Sequence, residues 1–326
     1  MKIFVTGASG YLGGRLATRL ADEGHTVHAL VRNPARCRLA NHPNILLFEG
    51  DLSQRGVIDQ AIRGCDQAYH IAAMVKLWSR RRSDFYQTNV EGTRHVLESA
   101  ESNGVRKLVF TSTCAVIGPS LKAPMTEEDP RVRSFENDYE FSKFLAENLV
   151  REFGRERLSS VIVSVPKLFG PGDVTSAVSV NGLIRRFISG QLTFCPAPES
   201  LLSNYGFTDD VVEGHLAAME SGRSGEKYII GGENLSYTDF FNTLRDFTRR
   251  PGRVLPVGKL VGFLYGSGHF LHSWLRRREP EFTGKGVGHI YCNKAFSCEK
   301  AIAELGYRIT PFREAANKTI RFLGNQ

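Results

Sequence analysis

The chain begins with a short apolar, strand-like stretch, Lys2 to Thr6, that runs straight into Gly7-Ala8-Ser9-Gly10-Tyr11-Leu12-Gly13. Three glycines at this spacing, between a strand and a helix, let the backbone approach a pyrophosphate while the helix N-terminus presents N–H groups to it. Helical periodicity over Gly14 to Glu23, a stop at Gly24 and a second strand over Thr26 to Val31 complete a βαβ unit. Further strand-like runs at Ile45 to Glu49, Gln67 to Ile71, Lys107 to Thr111 and Ser160 to Val165 alternate with helical patterns at Ser53 to Arg63 and Asn89 to Asn103. This alternation predicts an α/β fold with a Rossmann-type, doubly wound parallel sheet.

Beyond Pro166 the pattern loosens. Gly170 to Asp173 reads as a turn, Cys195 to Asn204 as a loop and Asp209 to Ser221 as a helix. The expected organisation is a dinucleotide-binding domain over residues 1–166, with 206–232 returning to it, and a mainly substrate-binding part over 167–326.

Composition excludes several classes. The charge is +8, but the basic residues are mostly dispersed, and neither Arg80-Arg81-Arg82 nor Arg276-Arg277-Arg278 is interleaved with aromatics, so nucleic acid is not an expected partner. The six cysteines lack C-x-x-C spacing and the nine histidines lack ligand spacing, which argues against a metal site and for reduced thiols in a cytoplasmic protein. The N-terminal stretch reads as a buried strand rather than a removable leader. Val254 to Leu275 is apolar but interrupted by Lys259, His269 and His272, a poor pattern for a spanning helix. It reads as a cap over a pocket or as a peripheral contact with Arg276 to Arg278 at its edge.

Tyr139 and Lys143 stand four residues apart. On a helix they share a face, where a cation favours phenolate and eases proton transfer.

Together these features resemble the short-chain dehydrogenase/reductase superfamily in its extended form. The resemblance spans nearly the whole chain and rests on Thr6 to Gly13, Gly50-Asp51-Leu52, His70 to Ala73, Asn89 to Thr93, Thr111-Ser112-Thr113, Tyr139 to Lys143, Pro166 with Gly170 to Asp173, and Phe207 to Val211. It implies a nicotinamide dinucleotide held by Gly7, Ser9, Gly10, Tyr11, Leu12 and Gly13, with Asp51 and Leu52 at the adenine and Ala72 and Ala73 along its path. Thr111 and Asn89 would join that site, and Pro166, Leu168 and Phe169 would lie by the nicotinamide. By its own chemistry Asp51 also suits a helix cap, and Asn89 an N-cap. In the family pattern the catalytic hydroxyl stands five residues before a glycine, so Gly118 selects Thr113. Thr113 would polarise a carbonyl, Tyr139 donate the proton, and Lys143 lower the tyrosine pKa and bind the nicotinamide ribose.

At the end of the second strand an acid would hydrogen-bond a ribose 2′-hydroxyl and a cation would pair with a 2′-phosphate. Val31 stands where the acid is expected and Arg32 follows, with Arg36 and Arg38 nearby, so NADP(H) is preferred to NAD(H). A sugar dehydratase would carry Asp-Glu after Thr113, whereas Cys114-Ala115 stand here. An epimerase would tend to carry Arg-x-x-Asn where Ser164 to Gly170 run. Pro166 in that setting resembles dihydroflavonol reductases, hydroxysteroid dehydrogenases and bacterial ketoreductases, so the expected activity is reduction of a ketone or aldehyde. An NAD-dependent nucleotide-sugar epimerase and a non-catalytic NADP(H) sensor are the alternatives. Pocket candidates (Met74 to Arg82 with Trp78, Leu168 to Ser179, Leu192 to Phe207, Val254 to Ile290) hint at an apolar or aromatic substrate. The resemblance further implies a homodimer through the Tyr139 to Phe153 helix.

Overall fold

The computed structural model describes residues 1–76, 78–121, 124–172, 179–276 and 288–324. In chain order the elements are β1 (Lys2–Thr6), α1 (Tyr11–Asp22), β2 (Thr26–Val31), β3 (Ile45–Glu49), α2 (Arg55–Ile62), β4 (Gln67–His70), α3 (Ser83–Tyr86), α4 (Gly92–Ser102), β5 (Lys107–Thr113), α5 (Asp138–Glu156) and β6 (Ser159–Val165). There follow β7 (Lys167–Phe169), α6 (Ser179–Ile188), β8 (Thr193–Pro196), β9 (Leu202–Phe207), α7 (Thr208–Ser221), β10 (Lys227–Ile229), β11 (Glu233–Ser236), α8 (Tyr237–Asp246), β12 (Val254–Val257), α9 (Lys259–Leu275), α10 (Glu299–Leu305) and α11 (Phe312–Gly324).

Seven strands form one parallel sheet in the order β10-β6-β5-β4-β1-β2-β3. The order reverses between β1 and β4, the place where doubly wound sheets open a ligand crevice at the carboxyl ends of their strands. Both faces are covered. One apolar cluster joins Ile3, Val5, Leu16 and Leu20 to Val163 and Val211, and the other joins Phe4, Ile58, Val96 and Phe110 to Val150. Near-continuous apolar strands such as Leu108-Val109-Phe110 are the sequence form of a sheet buried on both faces. A third cluster, rich in aromatics (Phe169, Phe187, Tyr205, Phe240, Phe312), fills the space among α6, α8, α11 and a three-stranded β11-β9-β7 sheet.

The structure corrects several expected boundaries. Helix α1 starts at Tyr11, directly after Gly10, and β5 continues to Thr113. The expected loop over Cys195 to Asn204 contains the end of β8 and the start of β9, because β8 pairs with β12 and β9 is held between β11 and β7. Those partners lie far away in sequence, so the local pattern does not reveal them. Asn89 is no N-cap. It sits within a π-helical turn, Gln87 to Glu91, inserted between α3 and α4, and the extra residue turns its side chain inward. Leu77, Asp173 and Arg277-Arg278 lie outside the described residues.

Candidate active site

The glycine loop joins β1 to α1 at the crevice. Gly7 takes the left-handed φ of 75°, and a Cβ there would stand 2.7 Å from the Ala72 amide nitrogen, so only glycine lets β1 pass this close to the end of β4. Gly10 precedes α1 without a side-chain cap and no acid occupies the first turn, leaving N–H groups at a positive helix end. This cradle suits a dinucleotide pyrophosphate. Ser9 and Gly10 are exposed, while Leu12 and Gly13 are buried beneath them. Tyr11 turns away: its hydroxyl donates to the carbonyl oxygens of Gly170 (2.8 Å) and Pro171 (3.2 Å), tying the loop to the turn after β7.

A buried relay fixes the loop's neighbour. The Thr93 hydroxyl donates to the Asn89 carbonyl (2.6 Å), so it accepts from His70 Nε2–H (3.0 Å). His70 Nδ1 then accepts from the Thr6 hydroxyl (2.7 Å), whose oxygen accepts the amides of Ile71 and Ala72 at 3.1 Å each. Burial, with Lys143 nearby, pulls the His70 pKa down to about 3, so the ring is a neutral strut. These bonds hold the Ala72 backbone beside Gly7.

Asp51 spends its Oδ1 on the Ser53 amide (2.8 Å) and hydroxyl (2.5 Å), a local turn before α2. Leu52 is buried under Gly92, where a Cβ would come within 2.6 Å of its own Cβ. Arg32 is exposed immediately after buried Val31. The Phe169 ring belongs to the aromatic core, 5.2 Å from Phe312 and 5.8 Å from Phe207, while Pro166 and Leu168 are half-buried, as is Trp78.

At the carboxyl end of β5 three side chains come together. Thr113 Oγ1 accepts the Ala115 amide (3.2 Å), which leaves its proton free to face the Tyr139 phenol nearby. Tyr139 lies in the first turn of α5, capped by Asn137, whose Oδ1 accepts the Glu140 amide at 2.9 Å. Burial pushes the phenol up to about 12, against the lowering effect of the Thr113 hydroxyl. One turn on, the buried Lys143 ammonium donates to the Thr111 carbonyl (2.8 Å) and lies 3.9 Å from the Phe110 ring centre. Asn89 holds the start of this helix: its Nδ2 donates to Ser142 Oγ (2.9 Å), and its Oδ1 accepts the Met74 amide (2.7 Å). Among the described residues no cluster of His, Cys, Asp and Glu could hold a metal ion.

Sequence reasoning missed two lysines. In the parallel pairing of β7 with β9, Lys167 stands opposite Tyr205, and Lys294 bridges Ser203 two residues earlier on β9. Both therefore point to one face of that strand. Lys167 Nζ donates to Ser203 Oγ (2.9 Å) and the Tyr237 hydroxyl (3.2 Å). Burial lowers Lys167 to about 8, and burial with Lys167 nearby lowers Lys294 to about 7. No local motif marks either residue, since strand pairing alone brings them together.

A glycine cradle at the switch point of a seven-stranded parallel sheet is the arrangement of a Rossmann-type dinucleotide-binding fold, and the relatives of this chain place it among the extended short-chain dehydrogenase/reductases, an oxidoreductase class that depends on a nicotinamide dinucleotide. The chain belongs to the NAD dependent epimerase/dehydratase family, whose model matches residues 3–231. It is 27% identical to a 3-beta-hydroxysteroid dehydrogenase of Mycolicibacterium neoaurum, over 94% of this chain and 86% of that protein. It is 30% identical to a 4-hydroxy-2-methyl-3-oxo-4-farnesyl-3,4-dihydroquinoline-1-oxide ketoreductase of Stigmatella aurantiaca, over 71% of this chain and 68% of that protein. The solved UDP-glucose 4-epimerase of Thermotoga maritima shares the fold, with a TM-score of 0.80 at 21% identity, over 100% of this chain and 99% of that one.

Proposed function

We propose that this protein is an NADP(H)-dependent oxidoreductase that reduces a ketone or aldehyde to an alcohol. The observation that carries the reading is the convergence of Thr113, Tyr139 and Lys143 at the end of β5, beside the crevice that the glycine loop opens. The bound nicotinamide supplies the hydride. Thr113 hydrogen-bonds the carbonyl oxygen and Tyr139, protonated at neutral pH, delivers the proton that oxygen needs as it becomes an alkoxide. Lys143, one turn on along α5, holds the nicotinamide ribose on the same helix face as the phenol.

Arg32, exposed after β2 with no carboxylate at Val31, supports NADP(H) over NAD(H). Cys114 is buried and Ala115 has no acid, which weighs against a dehydratase. The relatives named as a dehydrogenase and a ketoreductase favour carbonyl chemistry over epimerisation. Lys167 and Lys294 add N–H donors to the wall after Pro166, which suits a carbonyl compound bearing further oxygen acceptors. On this reading α5, whose partly exposed Phe141 packs with Phe135 (5.3 Å) and Phe144 (6.3 Å), forms the homodimer interface, and a monomer by sedimentation would remove that part.

The test is a panel of ketones and aldehydes incubated with NADPH. Oxidation of NADPH that Tyr139→Phe lowers about a hundredfold or more supports the reading. Binding of NADPH without oxidation by any member, together with epimerisation of a nucleotide sugar, would sink it.

A further inference from the structure

Exposed apolar side chains are concentrated on one helix. The first half of α9 exposes Leu260 (71%), Val261 (59%), Phe263 (48%), Leu264 (61%) and Tyr265 (68%). Beside it in sequence, β12 pairs with β8 so that Leu255 and Phe194 stand side by side, both half exposed. Isolated exposed apolar residues are ordinary, but a concentration of this size marks a surface that meets something apolar.

The border of this patch is basic. Arg185 and Arg186 lie in the last turn of α6, the chain between α8 and α9 carries Arg249, Arg250 and Arg253, and Lys259 opens α9, all exposed. Backbone hydrogen bonds join the two stretches: Gly252 donates to Phe187 (2.8 Å), Thr193 to Arg253 (2.8 Å) and Ala197 to Val257 (2.9 Å). No Asp or Glu occurs from 174 to 198 or from 247 to 278. The two stretches that carry the apolar centre and the cationic rim are thus joined to each other and carry no acid of their own.

We propose that this face docks the protein on an anionic lipid surface, with α9 lying in the plane of the interface. No described helix is long and apolar enough to cross a membrane, so the contact is peripheral. Leu, Phe and Tyr side chains enter the boundary between headgroups and acyl chains, while the arginines and Lys259 meet lipid phosphates. A second copy is a poor occupant, because a two-fold interface would set the same cationic rim against itself. The docking is independent of the reaction assigned to the crevice.

Co-sedimentation tests it, using vesicles of phosphatidylcholine alone and of phosphatidylcholine mixed with phosphatidylglycerol. The full chain is expected to bind the mixed vesicles, to release as salt rises, and to bind neutral vesicles at least about tenfold more weakly. Leu260→Ser with Leu264→Ser should lower binding by about tenfold or more, and Arg249→Gln with Arg250→Gln should remove much of the salt dependence. All four positions are exposed, so thermal unfolding should match the parent. Equal binding of parent and leucine variant, or equal binding to both vesicle types, overturns the proposal. So does a dimer in solution that ignores vesicles and falls apart in the leucine variant.

Discussion

Lys143 donates a 2.8 Å hydrogen bond to the carbonyl oxygen of Thr111, two residues before Thr113 on the same strand. That bond fixes α5 to β5 at the point where Tyr139 meets Thr113. Desolvation lowers the ammonium to about 7, with Glu147 acting against it. The charge is therefore held below pH 7 and lost as pH rises through it. The expected profile of kcat/KM for reduction falls with a limb near pH 7, and this limb disappears in Lys143→Met along with about a hundredfold of activity. Tyr139, pushed up to about 12, does not titrate in that range. Lys143→Arg should fail to rescue, because a guanidinium does not fit a site where the lysine is buried.

Acid should unfold the protein through two buried histidines. His215 Nδ1–H donates to the Val211 carbonyl (2.7 Å), so its Nε2 accepts from the Thr111 hydroxyl (2.9 Å). Burial lowers His215 to about 4 and His70 to about 3. Both folded values lie below an unfolded value of about 6.5, so the stability that the neutral rings contribute is complete above about pH 6.5. It is lost as pH falls towards 4, by roughly 1 kcal/mol per pH unit per histidine. Urea midpoints measured from pH 7 to 4 should show this slope, and His215→Gln should flatten it.

Arg32 follows the buried end of β2, the place where a 2′-phosphate would sit. Arg32→Ser is expected to weaken NADPH binding about tenfold or more while leaving NADH binding within about twofold, as read by fluorescence titration. Equal losses for both cofactors would count against NADP(H) as the physiological partner.

Glu147 carries structural rather than chemical weight. It accepts the Ser112 hydroxyl (2.6 Å) and pairs with Lys227 (2.5 Å), joining α5 to β5 and β10 in a buried network. Glu147→Ala leaves Lys227 buried without its carboxylate and should cost about 3–5 kcal/mol in urea unfolding. Adding Lys227→Met should return part of that loss, since both charges are then gone.

The alternation of apolar runs and helical periods, read from the sequence, predicted β1 to β6 with errors of a few residues, because strand and helix periods are local properties of burial on a covered sheet. The spacing of Tyr139 and Lys143 placed both on one face of α5 for the same reason. The β8 and β9 strands, the inward turn of Asn89 and the company of Lys167 and Lys294 were not legible, because each depends on a partner distant in the chain. The sequence by itself determined the glycine cradle, the order of the βα units and the residues able to do proton chemistry, since those follow from backbone sterics and short spacings. Only the tertiary structure decided which of these residues meet, that Tyr11 ties the loop to Gly170, and that the apolar half of α9 faces outward. Hydrophobicity tells a residue to leave water, and packing alone settles whether the fold has room for it.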